Sequence, residues 1–348
     1  MPTGSYERYG LTGNPFRELA SENLDDVTIY HVNQDADTLL RTIRDEVLDK
    51  ENRAVVVVTG PQGAGKTQRL LVAAAEAREH QAFVVYFDVT TRSPWVLSDL
   101  AQAFEKSAKD AGLVRMLGAP GWLRAVTGLG KMKRETYDPK EAGRRIGEAL
   151  NATAPSFLLL NDLHNLTESR EADVFARTLE EVSGVIKPGV LLMFACYASY
   201  LAWLTANQPA LASRINRTIP LVALSDDEAR LVLAKKLLAK RIVEELEPTY
   251  PFDRQAIHDL NEAARGNPRR LFELADFALE LGVATRAYQI DADVVRVALA
   301  TRATLPAGTS QVWQETPAAG PTTTDSTPTK SAAPSGRPAR RSIWGKSS

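Results

Sequence analysis

At 348 residues and 44% hydrophobic content, the chain has ample material for a packed core in one or two domains. A single cysteine, Cys196, excludes an intrachain disulfide and favours a reducing, intracellular setting. Met1 to Phe16 is polar and glycine-rich, with no apolar leader region, so a soluble, cytoplasmic protein is expected. The net charge of −1 hides an asymmetry, because the final stretch is basic while the rest is mildly acidic.

Residues 1–24 place Tyr6, Tyr9, Leu11 and Phe16 among turn residues and read as an ordered arm. Asp35 to Lys50 spaces Leu39, Leu40, Ile43 and Val47 as one face of an amphipathic helix. Ala54 to Val58 is apolar and β-branched, the pattern of a buried parallel strand. A glycine-rich turn follows, then a helix over Gln68 to His80 and a second strand over Gln81 to Val89. Ser93 and Pro94 predict the N-cap and first position of a helix reaching about Ala111.

Between Gly112 and Lys140, glycines break any long helix. Arg115, Arg124, Lys131, Lys133 and Arg134 surround Trp122, so the stretch reads as a solvated connector with one hydrophobic anchor, or as a basic segment that touches nucleic acid. Glu141 to Leu150 predicts a helix, Phe157 to Leu160 a third strand and Glu171 to Val185 a helix. Val190 to Ala206 carries no charge, yet it falls short of the roughly 20 residues that span a bilayer. A strand over Val190 to Ala195 followed by a short helix accounts for it, so no membrane span is expected. Thr218 to Val222 is a short fifth strand. Strands alternating with helices imply a mostly parallel sheet covered on both faces.

From Ser225 the pattern is helical only. Ser225-Asp226-Asp227-Glu228 is a capping box opening a helix to about Leu246. Asp253 to Arg265 is a second helix; Asn267-Pro268 caps and starts a third, ending near Leu281 with Gly282 after it. Asp291 to Arg302 is the fourth. Beyond Leu305 the chain turns rich in Pro, Ser, Thr and Ala, which cannot bury enough to offset the entropy of ordering. Its five basic residues against two acidic ones read as a tethered peptide for an acidic partner, or as a solubilising tail. The expected organisation is therefore an arm at 1–24, a nucleotide-binding domain at 25–224, a four-helix domain at 225–304 and a disordered basic tail at 305–348.

The chemistry starts at Gly60-Pro61-Gln62-Gly63-Ala64-Gly65-Lys66-Thr67, with Gln68 after it. A strand, the pattern G-x-x-x-x-G-K-[ST] and a helix together form a phosphate-binding loop. Its glycines let successive N–H groups face a phosphate, and the helix N-terminus adds partial positive charge. Lys66 would reach the β/γ oxygens of ATP, and the Thr67 hydroxyl would hold Mg²⁺. A second half of the site is sought where another strand ends in polar groups, and Phe157 to Leu160 runs into Asn161-Asp162-Leu163-His164-Asn165-Leu166.

The loop, this strand end, the segment Leu211-Ala212-Ser213-Arg214-Ile215 and the turn Gly266-Asn267-Pro268-Arg269 occur in the order of an AAA+ ATPase. The chain resembles the origin-recognition/cell-division-control initiators, the transposition regulators and the ExeA-type ATPases, which often open with an arm like Tyr9-Gly10-Leu11-Thr12-Gly13-Asn14-Pro15-Phe16. The resemblance covers residues 6 to 303 and implies a P-loop α/β core, a C-terminal four-helix lid, and ATP with Mg²⁺ as ligands. It puts Asn161 at the metal-binding Asp position and Asp162 at the catalytic Glu position, a departure that implies slow hydrolysis; the other assignment gives the metal to Asp162. It also implies Arg214 as a finger offered to a neighbouring subunit, with Arg217 as runner-up, and Arg269 as the lid's sensor. On residue type alone these arginines would read as surface groups. The first sensor stays open among Cys196, Tyr197 and Ser199, leaning to Ser199.

A trans-acting finger implies a homo-oligomer, ring or filament. Three roles follow from the resemblance: a switch acting on DNA-associated partners, an assembly ATPase recruiting a protein through 305–348, or an ATP sensor with little turnover. Initiators carry a winged-helix domain after the lid, whereas the residues here past Thr301 read as tail.

Overall fold

Successive residues of a strand point to opposite faces of a sheet, so strands apolar at every position need cover on both sides. A computed structural model describes residues 6–17, 34–90, 95–113, 120–131, 137–167, 171–243 and 245–304. The first half of the fold comprises α1 (Gln34–Leu48), β1 (Ala54–Thr59), α2 (Lys66–Glu79), β2 (Phe83–Asp88), α3 (Val96–Asp110), α4 (Gly121–Leu129), α5 (Pro139–Ala152) and β3 (Ser156–Asn161). Then come α6 (Ala172–Val185), β4 (Val190–Cys196), α7 (Ala198–Asn207), α8 (Pro209–Ala212) and β5 (Arg217–Pro220). The last part is helical: α9 (Asp226–Leu238), α10 (Arg254–Ala264), α11 (Pro268–Thr285) and α12 (Ala292–Thr304).

The five strands form one parallel sheet in the order β2-β3-β4-β1-β5. Its two faces are read directly from residue parity. Val56, Val58, Val84, Phe157, Leu159 and Met193 pack against α1 and α2 through Ile43, Val47, Leu70 and Ala74. Val55, Val57, Val85, Leu158, Leu160 and Phe194 pack on the other face with Phe104, Leu123, Ile146, Phe175 and Leu211 from α3 to α8. Register sets Asp88 opposite Asn161 and Thr59 opposite Cys196, so the carboxyl ends of these strands meet along one edge.

The structure corrects the sequence reading in several places. Ser93 and Pro94 lie outside the described residues, and α3 starts at Val96, with Trp95 at the N-cap position making no side-chain capping bond. Its first-turn N–H is satisfied from afar: Val96 N donates to Glu171 Oε2 at 3.0 Å. The connector containing Trp122 is instead α4, whose Leu123, Val126 and Leu129 are buried while Trp122 meets Phe83 edge-on at 5.5 Å. Arg115, Lys133 and Arg134 lie outside the described residues. The charge-free stretch after β4 folds as α7, and among the described residues no helix is long and apolar enough to cross a membrane.

The helical unit departs further. The capping box forms as read, Ser225 and Glu228 each bonding the other's backbone N–H. Yet α9 stops at Leu238, not near Leu246, because the arm claims the chain beyond it. Thr12 N donates to Lys240 O and Ile242 N to Gly10 O, each at 2.8 Å. α11 does not end before Gly282 but runs through it to Thr285. Gly282 is a point of close approach: a Cβ there would stand 2.1 Å from Ile290 Cδ1 and 3.0 Å from the Tyr9 hydroxyl.

The arm is part of this unit's core. Tyr6, Tyr9, Leu11 and Phe16 are buried with Leu233, Phe252, Leu260, Phe272 and Leu279. Phe16 stacks on Phe272 with ring centroids 6.1 Å apart and meets Phe252 edge-on at 5.9 Å. The rest of residues 1–24 and the tail at 305–348 lie outside the described residues.

Candidate nucleotide-binding site

The loop after β1 turns into α2 at Lys66, and a cleft of about 250 Å³ opens over it. Gln62 to Arg69 form its floor, Asp162, His164 and Tyr197 one wall, and Pro268 and Arg269 of α11 another. Leu221, Val222, Leu224, Val232 and Phe272 make an apolar side. The lining thus combines donors and positive charge with a group of apolar side chains.

Lys66 is buried, and its Nζ donates to the carbonyls of Gly60 and Pro61, both at 2.9 Å. It lies 4.5 Å from the centroid of the Tyr197 ring. Burial lowers its pKa to about 8, against the pull of nearby Asp162. The Thr67 hydroxyl donates to Asn161 Oδ1 at 3.2 Å. Asp162 follows in the left-handed region, φ 55°, a conformation costly for a residue with a Cβ. Burial raises the Asp162 pKa and Asp88 adds to the rise, while Lys66 and Arg269 oppose it.

His164 packs against Tyr197, the rings tilted by 31° with centroids 3.6 Å apart, and burial, with Lys66 nearby, drives its pKa down to about 4. Its imidazole is therefore neutral at neutral pH, a packing element beside the lysine. Among the described residues no group of three or more His, Cys, Asp or Glu side chains gathers to hold a metal. The donors present are a hydroxyl, an amide oxygen and carboxylates, all hard oxygens. That set fits Mg²⁺ when phosphate oxygens and water complete the shell.

The helical unit touches the loop directly. Asn267 caps α11 by accepting from Arg270 N at 3.1 Å, and its Nδ2 donates to Gln62 O at 2.9 Å. Gly63 (φ 77°) lies underneath; a Cβ there would stand 2.8 Å from both Arg269 Cβ and Asn267 Oδ1. Gly63→Ala is expected to cost about 1–3 kcal/mol of stability, read from urea unfolding. A cost below about 0.5 kcal/mol would show that the helical unit does not rest on the loop.

The architecture has counterparts among solved structures. The Aeropyrum pernix ORC2 protein in its ADPNP–ADP complexes matches with a TM-score of 0.52 at 17% identity, over 80% of this chain and 70% of that one. The A. pernix ORC1 protein in complex with DNA matches at 0.52 and 15% identity, over 82% and 69% of the two chains. Cdc6p from Pyrobaculum aerophilum matches at 0.52 and 14%, over 82% and 70%. This chain shares the AAA+ fold of these proteins. No family model and no curated protein matches its sequence.

Within this fold the structure brings Lys66, Thr67, Asn161, Asp162 and Arg269 together around one cleft. Arg214 is elsewhere: its Nη1 donates to the Glu180 carbonyl and lies 3.4 Å from Ser183 Oγ, at the end of α6. Arg217 is exposed and bonds Asn216 O. Of the first-sensor candidates, Ser199 is exposed on α7 and does not line the cleft; Tyr197 does. Cys196 is buried at the end of β4, and burial pushes its thiol up to about 12.

Tyr197, weighed in the sequence only as a first-sensor candidate, packs against both Lys66 and His164. Three further roles escaped sequence reading: Asn267 clasps the loop, Asp88 bonds Asn161, and Arg69 lines the cleft while paired with Asp37 at 3.3 Å. Only Asp88 left a signal, as the polar end of a strand that a doubly covered sheet could set beside β3.

Proposed function

We propose that this chain is an ATP-binding AAA+ switch protein that hydrolyses ATP slowly, assembles with nucleotide and acts on DNA-associated partners. One observation carries the reading. Lys66 and Thr67 of the phosphate loop share a cleft with Asp162 at the end of the β3 segment and with Arg269 from the helical unit. In this reading residues 25–224 form the nucleotide domain and 225–304 the lid. The triphosphate lies along Gln62 to Gln68, with the base against Leu221, Val222 and Phe272. Bound Mg²⁺, held on the side of Thr67, Asn161 and Asp162, would supply charge neutralisation at the phosphates.

Asp162 orients water at a short carboxylate, Arg269 registers the γ-phosphate, and Arg214 serves a neighbouring subunit. Slow turnover is supported by Asn161, a neutral group at the metal side. The ORC2 complexes with ADPNP and ADP, and the ORC1 complex with DNA, support the nucleotide and DNA parts by analogy of fold alone.

The test is steady-state hydrolysis by the assembled protein. Turnover is expected below about 10 per second, the median for enzymes, and a higher value sinks the switch reading. Arg214→Ala is expected to lower that turnover by about 10³-fold while dilute protein binds ATP as before. Unchanged turnover removes Arg214 from the site. Binding to duplex DNA that weakens steeply with salt supports the DNA role, and its absence favours a protein client.

A further inference from the structure

Three hydrogen bonds fix the orientation of the Asn161 amide. Its Oδ1 accepts from Thr67 Oγ1 at 3.2 Å, while its Nδ2 donates to Asp88 Oδ1 at 2.8 Å and to Asp162 Oδ2 at 3.2 Å. Flipped, the amide would set its oxygen against two carboxylates, so only one orientation is satisfied. Asp88 ends β2 directly across the ladder from Asn161, and its Oδ1 also accepts from the Tyr86 hydroxyl at 2.8 Å. The resemblance leads one to expect a carboxylate on β3; this chain has an amide there and a carboxylate on the neighbouring strand.

We propose that Asp88 is the positioning residue of the metal side, acting through Asn161. The carboxylate turns the amide oxygen toward Thr67, and the two strands together provide what a single aspartate would provide alone. This rests on the nucleotide reading of the cleft. Two physical arguments support it. A carboxylate behind an amide N–H polarises the amide, strengthening its oxygen as a partner for a hard cation. And an aspartate at position 161 would set a carboxylate oxygen where the amide N–H now donates to Asp88 and Asp162, replacing two hydrogen bonds with repulsion. Asparagine is the residue that Asp88 and Asp162 leave room for.

This changes what repair of the site requires. Asn161→Asp alone crowds three carboxylates, whereas Asp88→Asn with Asn161→Asp exchanges amide and carboxylate across the ladder and restores the balance.

The experiment titrates Mg²⁺ against binding of a fluorescent ATP analogue to the full chain, with melting temperatures taken in EDTA. Asp88→Asn is expected to raise the half-saturating Mg²⁺ concentration about tenfold, the equivalent of one lost charge-assisted contact. Asn161→Asp is expected to melt a few degrees lower in EDTA and to recover with Mg²⁺. The exchanged double variant returns to within about threefold of wild type in Mg²⁺ requirement. An Asp88→Asn protein with the wild-type Mg²⁺ requirement overturns the proposal, even if it is less stable, since a purely structural aspartate would move only the melting temperature. A double variant no better than the worse single variant also overturns it. If Asp88→Asn does not fold, the exchanged variant carries the test. Wild-type protein that fails to bind the analogue sinks the cleft reading itself, while wild-type binding with an indifferent Asp88→Asn sinks only this proposal.

Discussion

Lys66→Ala is expected to weaken ATP binding by 100-fold or more, at about 1.5–3 kcal/mol for each charge-assisted bond lost to phosphate. Stability should move the other way. Lys66 is buried and its pKa is about 8, below its unfolded value, so between pH 8 and 10.5 the unfolded chain binds more protons than the folded one. Stability contributed at this site therefore rises with pH through that window and is lowest where the amine is charged. Lys66→Met, which keeps the volume and drops the charge, should match or exceed wild-type stability at pH 7 while failing to bind nucleotide. For wild type, affinity for the triphosphate should fall by up to about tenfold per pH unit above 8, as the free site loses its proton. Calorimetric titration at pH 7 and pH 9 checks this; equal affinities would mean that Lys66 does not meet the phosphates.

Phe16→Ala is expected to destabilise the protein by about 3–5 kcal/mol, a large share of the 5–15 kcal/mol typical of a folded domain. Phe16 is fully buried, between Phe252 and Phe272, and its removal leaves a cavity that rigid helices do not close. Because Phe272 also lines the cleft proposed to hold nucleotide, the same variant should bind ATP more weakly than wild type. Urea unfolding and nucleotide titration on one sample read both effects. A cost under about 1 kcal/mol would show that the arm is an ornament on the helical unit.

The parts legible in the sequence are those decided locally. Apolar runs such as Val55 to Val58 and Leu158 to Leu160 announce buried strands, and Ser225 with Glu228 announces a helix start within four residues. The glycine-rich turn between β1 and α2 is legible because its pattern is packed into one contiguous stretch. What was not legible depends on residues far apart in sequence. The end of α9 is set by Gly10 and Thr12, and the contact of Gly282 with Ile290 shows only when α11 and the segment before α12 are side by side. The bond from Asn161 to Asp88 needs strand order, since nothing local says that β2 lies next to β3. Helical patterning placed Arg269 near the start of its helix, but not Asn267 over the Gln62 carbonyl.

The buried arm also has a consequence for how the protein is made. The Tyr9 hydroxyl bonds the Ala287 carbonyl, 278 positions later in the chain. At roughly 5–20 residues per second, Tyr9, Leu11 and Phe16 leave the ribosome tens of seconds before the helices that bury them exist. These early aromatic residues are among the last to be covered. For that interval the nascent chain carries an exposed hydrophobic segment, and the core of the helical unit is completed only once both ends of the described chain have met.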